Sequence, residues 1–316
     1  EGWHDHLGGL HAEQMAIADA ESKGIGTRGT TAYVTLEPCN HFGRTPPCTE
    51  ALLWAGVSKV VIGALDPNPT VRGEGAKKLI DLGVEVVTGV MEEECEFQME
   101  EFMHWCRSRR PFVTLKASTD TNGLVDGDPS KPAFRFSSDA SLRLAHDLRA
   151  NSMAILVGVG TVIRDDPSLT VRGPDIDPRE QPTRVVIDPN GRIPAESKLL
   201  QDGEAPTLII QSSKFDTNGD GGHVERIIVQ EQEIPVSRIL DLLGDRGIQS
   251  LLVEGGPETW SRFLSSGMVN RARVCVSPIQ LDGDGLLFDR GLLSEHMSLI
   301  SESEVSGDSI EWWIRN

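Results

Sequence analysis

Short apolar runs rich in β-branched residues alternate with amphipathic segments along most of this chain, and this alternation strongly constrains the fold. In the first third, the pattern predicts strands at Thr31–Leu36, Lys59–Ala64 and Val84–Val87. Helices are predicted around them at His11–Ser22, Thr49–Trp54, Gly75–Leu82 and Met91–Trp105. Such alternation predicts a largely parallel sheet that is covered by helices on both faces.

A basic and polar cluster at 107–111, Arg-Ser-Arg-Arg-Pro, interrupts the alternation. Because proline stops a helix and the cluster is polar, we interpret the segment as a connector between domains. The predicted domains are 1–109 and 110–316. A chain of 316 residues has room for two domains of ordinary size.

The alternation resumes beyond the connector. Strands are predicted at Phe112–Ala117, Ala154–Val159, Thr183–Ile187, Thr207–Ile210, Ile248–Val253 and Ala272–Val276. Helices are predicted at Ser141–Ala150, Val236–Leu243 and Glu258–Ser265. The stretch Ser212–Gly222 is rich in Ser, Asn, Asp and Gly and is predicted to be a surface loop. The second domain is therefore also expected to be α/β.

Charge and cysteine content restrict the class of protein. The formal net charge is −18, which disfavours nucleic acid and anionic membranes as partners. The chain has no apolar run of about 18 residues and no signal-peptide pattern at its start. Its five cysteines are an odd number, which suits a reducing compartment. We expect a cytoplasmic protein with a small-molecule substrate.

One histidine and two cysteines in the first domain are candidates for metal ligands. His11-Ala12-Glu13 opens a predicted helix, Pro38-Cys39 follows a predicted strand, and Cys48 lies nine positions later. One imidazole and two thiolates make a three-ligand zinc site with a fourth position open to water, which is typical of catalytic zinc. A glutamate two residues after the histidine suits the proton transfers of hydrolytic deamination.

The cysteine spacing differs from the commoner form of this signature, in which two residues separate the cysteines; eight residues do so here. A competing interpretation is that His11 is solvated and both cysteines are small buried groups. The Pro-Cys step and the Gly/Pro-rich insert favour the metal site. The insert also carries His41 and Arg44, which are either surface residues or substrate ligands, Arg44 then gripping phosphate.

The run Thr-Leu-Glu-Pro-Cys-Asn-His-Phe-Gly-Arg-Thr-Pro-Pro-Cys at 35–48 resembles the zinc motif of the bifunctional riboflavin-biosynthesis deaminase/reductase family, as does Asp-Pro-Asn-Pro at 66–69. The resemblance implies a cytidine-deaminase-like α/β/α domain that acts on a diaminopyrimidinone carrying ribose 5-phosphate. It implies His11, Cys39 and Cys48 as zinc ligands and Glu13 as the proton shuttle. It also implies that the first helix and two strands of the deaminase domain are lacking here.

A glycine pair marks the second domain. The turn Glu254-Gly255-Gly256-Pro257 follows a predicted strand and precedes the amphipathic segment Glu258–Leu264. Unpaired main-chain N–H groups and the positive end of a helix dipole make such a turn a seat for a dinucleotide phosphate. Taken alone, a Gly-Gly pair is equally consistent with a phosphate seat and with an ordinary tight turn.

From Phe112 nearly to the C-terminus the sequence resembles the reductase half of the same family, through segments 148–150, 158–162, 165–172 and 252–257. The resemblance implies a dihydrofolate-reductase-like α/β fold and NADPH-dependent reduction of the ribosyl group to ribityl. The predicted substrate residues are Arg149, Asp165, Leu169, Arg172 and Glu254. The predicted cofactor residues are Ala117, Arg135, Thr161, Gly255 and Gly256, and Arg135 stands where the family has a tryptophan.

Two alternatives stay open. In the first alternative, the chain is a deaminase of other bases joined to a degenerate reductase domain. In the second, it is a zinc-stabilised interaction protein without turnover. The acidic charge and the lack of a basic stripe with interleaved aromatics argue against RNA as a substrate. Glu13 argues against a purely structural metal site, which needs no such carboxylate. Homo-oligomer formation also stays open.

Overall fold

The chain divides into two compact units, Glu1–Ser108 and Arg109–Asn316. The computed structural model describes residues 1–4, 9–42, 46–69, 71–128, 130–132, 134–173, 181–212, 221–282 and 285–316. Within these ranges no helix combines the length and the apolar character that a membrane crossing requires.

Among its described residues, the first unit forms a three-stranded parallel sheet in the order β1-β2-β3. The strands are β1 (Thr31–Leu36), β2 (Lys59–Ala64) and β3 (Glu85–Thr88). The helices are α1 (Ala12–Ser22), α2 (Cys48–Ala55), α3 (Glu74–Asp81), α4 (Glu92–Gln98) and α5 (Glu100–Ser108). The predicted strands are thus present and parallel, as crossover connections between neighbouring strands require.

The central strand β2 is covered on both faces. Val60 and Ile62 lie in a hydrophobic core with Leu52 of α2 and Leu79 of α3. Successive residues of a strand point to opposite faces, so Gly63 points the other way. There it packs on Cys95 of α4, and a Cβ at this glycine would collide with the Cys95 sulfur. The predicted layering of helix, sheet and helix is therefore present.

The prediction of a single helix at Met91–Trp105 is wrong, because the segment contains two helices. Helix α4 ends at Met99, whose φ of −110° and ψ of 20° depart from helical values, and α5 begins at the next residue. Each helix has glutamates in its first turn, where negative charge complements the helix dipole. An acidic run that looks continuous in sequence thus contains two helix starts.

Among its described residues, the second unit forms a nine-stranded sheet in the order β11-β12-β10-β4-β9-β5-β6-β7-β8. Its strands are β4 (Phe112–Asp120), β5 (Ala154–Gly158), β6 (Thr183–Ile187), β7 (Thr207–Gln211), β8 (Val224–Ile228), β9 (Ser250–Val253), β10 (Arg271–Ser277), β11 (Met297–Val305) and β12 (Asp308–Arg315). Its helices are α6 (Asp139–Ala150), α7 (Val159–Asp165), α8 (Lys198–Gln201), α9 (Val236–Gly244), α10 (Pro257–Ser265) and α11 (Arg290–His296).

Strand β9 positions the glycine pair. It inserts between β4 and β5 and is parallel to both, with Val253 opposite Leu115 on one side and Leu156 on the other. The turn after β9 therefore emerges beside the middle of β4 and near the end of β5. Ligands of open parallel sheets bind at this carboxyl edge, particularly where the strand order reverses.

Two hydrophobic cores cover the faces of this sheet. One contains Leu115, Leu156 and Val253 together with side chains of α9 and α10. The other contains Ile155, Leu252 and side chains of α7 and α8. Neighbouring residues of β5 and of β9 belong to different cores, which explains why these strands read as continuous apolar runs.

Strands β8, β11 and β12 were not predicted. The hairpin of β11 and β12 turns through Ser306 and Gly307, whose φ values of 52° and 89° are those of a type I′ turn. β11 is exposed along most of its length, so its sequence lacks apolar alternation. The loop predicted at Ser212–Gly222 lies mostly outside the described residues.

Replacing Gly75 with Ala should destabilise the first unit, although alanine is normally the better helix former. A Cβ at Gly75, in the first turn of α3, would collide with the carbonyl oxygen of Pro38. Overpacking of this kind costs about 1–3 kcal/mol. Thermal denaturation should show a lower melting temperature than for the exposed control Lys78→Ala in the same helix; a Gly75→Ala protein that melts at or above the wild-type temperature contradicts this packing.

Candidate active sites

The side chains of His11, Cys39 and Cys48 converge in the first unit. His11 caps the start of α1, Cys39 follows β1, and Cys48 is the first residue of α2. His11 Nδ1 lies 3.6 Å from Cys39 Sγ and 3.2 Å from Cys48 Sγ, and the three ligand atoms lie within 4.8 Å of one another. Donors around one tetrahedral zinc ion are roughly 3.6 Å apart, so this set fits zinc.

Hydrogen bonding between the two cysteines stabilises the thiolate form that binds a metal cation. A bond from the Cys48 thiol lowers the pKa of Cys39 to about 5, and the main-chain N–H of Cys48 donates to Cys39 Sγ at 3.3 Å. The same pairing raises the pKa of Cys48, which keeps its proton in the absence of metal. The pair thus holds one thiolate, and binding a metal displaces the remaining proton.

Glu13 lies beside this cluster on the first turn of α1. Burial raises the pKa of its carboxyl group, which also contacts the Cys48 thiol. His11 is the N-cap residue of α1 and Glu13 lies in the first turn of the same helix, so α1 holds both the imidazole and the carboxylate at this end. The predicted ligands and the predicted proton shuttle are therefore brought together.

Two residues that sequence reasoning missed hold this cluster in place. Gln14 accepts a hydrogen bond from the His11 N–H at 3.4 Å and donates to the Pro46 carbonyl at 2.9 Å, so it joins the start of α1 to the segment before Cys48. His4 packs edge-on against the His11 ring, with centroids 5.4 Å apart. The spacing of Gln14 three residues after the helix cap was an available signal.

Glu37 anchors the loop that carries Cys39. Its buried carboxylate accepts main-chain hydrogen bonds from Asp66 at 3.1 Å, Gly73 at 2.8 Å and Ala76 at 3.0 Å. These donors belong to the segment after β2 and to the start of α3. One side chain therefore ties the metal-ligand loop to the neighbouring strand end. An acidic residue directly after an apolar strand was the sequence signal.

The two insert residues predicted as substrate ligands have different outcomes. His41 is exposed and lines a small cleft together with Cys39, Asn40 and Asp66. Asn40 is itself fixed by the Thr49 hydroxyl, which donates to its Oδ1 at 3.0 Å. Arg44 lies outside the described residues.

In the second unit, Arg149 of α6 and Glu254 after β9 form a bidentate ion pair. Arg149 Nε and Nη2 donate to the two carboxylate oxygens at 2.8 and 2.6 Å. Burial alone would raise the pKa of Glu254, but the charge and hydrogen bonds of Arg149 outweigh it and the pKa is lowered. Two residues predicted as separate substrate ligands are thus paired with each other.

The remaining predicted substrate residues lie on or next to the loop after α7. Asp165 ends that helix and Leu169 is buried. Arg172 has an exposed side chain, and its main-chain N–H donates to His146 Nδ1 at 3.2 Å. Burial lowers the pKa of His146, and the charges of Arg149 and Arg172 lower it further. His146 was not predicted.

The glycine pair lies where α10 starts, next to the start of α7. A Cβ at Gly255 would lie 2.6 Å from the Thr259 Cβ, so Gly255 permits close packing of α10 on the strand end. Among the described residues, a Cβ at Gly256 would meet only Thr161 Oγ1, at 3.7 Å. The space beside Gly256 and Thr161 is therefore open, at a helix N-terminus with a proline in its first turn, and suits a phosphate.

Two predicted cofactor residues are less directly placed. Arg135 is exposed, and its Nη2 donates to Asp139 Oδ1 at 3.0 Å. The methyl group of Ala117 is fully buried in the core on β4. Ala117 therefore exposes no surface to a ligand in this structure.

Comparison with known families divides the chain in a similar way. Residues 3–64 match the cytidine and deoxycytidylate deaminase zinc-binding region, and residues 111–310 match the RibD C-terminal domain. The predicted order of two α/β units, a cytidine-deaminase-like unit followed by a reductase unit, is confirmed.

Individual proteins resemble the whole chain. The riboflavin biosynthesis protein RibD of Aquifex aeolicus is 40% identical over 94% of this chain and 82% of its own length. The RibD of Escherichia coli is 34% identical over 90% of this chain and 79% of its own length. A crystal structure of a diaminohydroxyphosphoribosylaminopyrimidine deaminase/5-amino-6-(5-phosphoribosylamino)uracil reductase from Thermotoga maritima has a TM-score of 0.87 at 31% identity, covering 100% of this chain and 88% of that one. The chain therefore belongs to the RibD family of bifunctional deaminase/reductases of riboflavin biosynthesis.

Proposed function

We propose that the first unit deaminates a diaminopyrimidinone carrying ribose 5-phosphate and that the second unit reduces the ribosyl group of the deaminated product with NADPH. The observation that carries this proposal is the convergence of His11, Cys39 and Cys48 beside Glu13. The bifunctional name of the Thermotoga maritima protein supports the pairing of the two reactions.

In the deamination, His11, Cys39 and Cys48 hold zinc, which makes water nucleophilic at neutral pH. Glu13 takes a proton from the water and delivers it to the departing amino group, which leaves as ammonia. The carboxylate suits this task because it stands at the cluster without being part of the three-ligand set. His41 and Arg44 are the substrate ligands from the insert in this proposal.

In the reduction, NADPH supplies a hydride to the imine carbon of the ring-opened ribosylamino group, and the imine nitrogen gains a proton. Gly255, Gly256 and Thr161 seat the cofactor, with Arg135 as a further contact. The protein aligns the two reactants rather than performing the chemistry.

The residues around the Arg149–Glu254 pair hold the substrate of the reduction. We assign Arg172 to the phosphate, because its exposed guanidinium supplies positive charge in a chain with a net charge of −18. Asp165, Leu169 and Glu254 line the pocket. A cytoplasmic location is proposed with this function and is supported by the odd number of cysteines.

Replacing Glu13 with Gln should abolish ammonia release and leave zinc bound, because the amide cannot accept a proton. Loss of a general acid–base group costs roughly 10²–10⁴-fold in rate. Ammonia release from the diaminopyrimidinone measures the first activity, and NADPH oxidation with the pre-deaminated pyrimidine, which should persist, is the control. Wild-type ammonia release by the variant would contradict the proton-transfer role of Glu13, whereas a zinc-loaded wild-type protein without turnover would favour the zinc-stabilised interaction protein.

Replacing Cys39 with Ser should lower the zinc content of the purified protein, because serine loses the thiolate that the Cys48 hydrogen bonds stabilise. Cys95→Ser is the matched control, since Cys95 lies in the same unit but outside the ligand set. Metal analysis should find about one zinc per wild-type and control chain. Equal zinc in both variants would contradict the ligand assignment.

Replacing Gly256 with Val should raise the KM for NADPH, because the side chain would fill the open space beside Thr161. The φ of −75° at Gly256 admits any residue, so the fold should be retained. Gly222→Val, at a turn where a Cβ meets none of the described residues within 4 Å, is the control. Steady-state kinetics would refute the cofactor seat if both variants kept the wild-type KM for NADPH.

A further inference from the structure

The loop between α7 and β6 holds a buried residue in an unfavourable backbone conformation. Leu169 has φ of 49° and a side chain that is only 3% exposed. Asp166, three residues earlier, has φ of 41°. Left-handed backbone is disfavoured for residues with a Cβ and persists only where the surroundings impose it.

Two arginines bond to the main chain on either side of Leu169. Arg184 of β6 donates from Nη1 to the Ser168 carbonyl at 3.2 Å. Arg149 of α6 donates from Nη1 to the Thr170 carbonyl at 3.1 Å. The carbonyls that flank the strained residue are therefore both fixed by charged donors from other elements, and charge-assisted hydrogen bonds are the stronger kind.

Gln181 bonds to the main chain one step further along the loop. Its Oε1 accepts from the Val171 N–H at 2.7 Å, and its Nε2 donates to the Val171 carbonyl at 3.0 Å. The side-chain amide therefore pairs with both main-chain groups of Val171, as a neighbouring β-strand would. Val171 directly precedes Arg172.

From these contacts we propose that Gln181 and Arg184 are positioning residues for the reduction. They fix the main chain at 168–171, with Leu169 anchored in the core, and so position the exposed Arg172 for the pyrimidine substrate. This inference rests on the proposed function, which places Arg172 at the substrate.

Gln181 tests the inference more cleanly than Arg184. Arg184 is fully buried and also bonds to Asp202, Thr207 and the carbonyls of Leu199 and Ala205, so its loss would disturb the fold. Gln181 is only half-buried, and within the described part of the chain its side-chain hydrogen bonds both go to Val171.

The experiment compares Gln181→Ala with the matched control Gln230→Ala, an exposed glutamine after β8. Losing two hydrogen bonds should raise the KM for the deaminated pyrimidine about tenfold. The KM for NADPH should stay at the wild-type value, because a merely structural role would not split the two constants. Gln181→Glu keeps the acceptor and loses the donor, so it should fall between wild type and Gln181→Ala.

Binding of the deaminated pyrimidine, measured by calorimetry without NADPH, separates the two hypotheses. A wild-type protein that binds the pyrimidine but never oxidises NADPH overturns the proposed reduction, while weaker binding by Gln181→Ala still supports the positioning role. Wild-type KM and affinity in Gln181→Ala overturn the positioning role alone. A wild-type protein that does not bind the pyrimidine overturns both.

Discussion

Parallel strand pairing is the constraint on which both sites depend. Strands that run in the same direction end at a common edge, so residues distant in sequence meet there. In the first unit, β1 and β2 end side by side, which brings the Cys39 loop next to Asp66. In the second unit, β9 ends between β4 and β5 and brings Glu254 to Arg149.

Buried charges hold the loops at these edges. The Glu37 carboxylate accepts hydrogen bonds from three main-chain N–H groups. The Arg184 side chain is fully buried and bonds to Asp202 and to several carbonyls. Removing one partner of such a buried pair typically costs about 3–5 kcal/mol, because the remaining charge is left unpaired. In a strongly acidic chain, these contacts give the functional loops a single conformation.

The Arg149–Glu254 pair shows how one interaction serves two parts of the second unit. Its carboxylate belongs to the turn that carries the glycine pair, and its guanidinium also bonds to the Thr170 carbonyl in the loop after α7. The candidate cofactor seat and the candidate substrate loop are therefore joined through one buried side chain. A displacement of the cofactor seat would therefore be transmitted to the substrate loop through Arg149, and the reverse also holds.

The sequence alone determined the α/β class and the strands that form the sheet centres, because apolar periodicity is a local property, and it named His11, Cys39 and Cys48 as the candidate ligand set from their chemistry. It could not predict the break at Met99 or the exposed strand β11, where neither apolar alternation nor a proline marks the element. Tertiary structure decided that Arg149 faces Glu254, that Leu169 adopts a left-handed backbone, and that Glu37 joins two loops. These features depend on which strands lie side by side, and that arrangement results from long-range packing rather than from any local pattern.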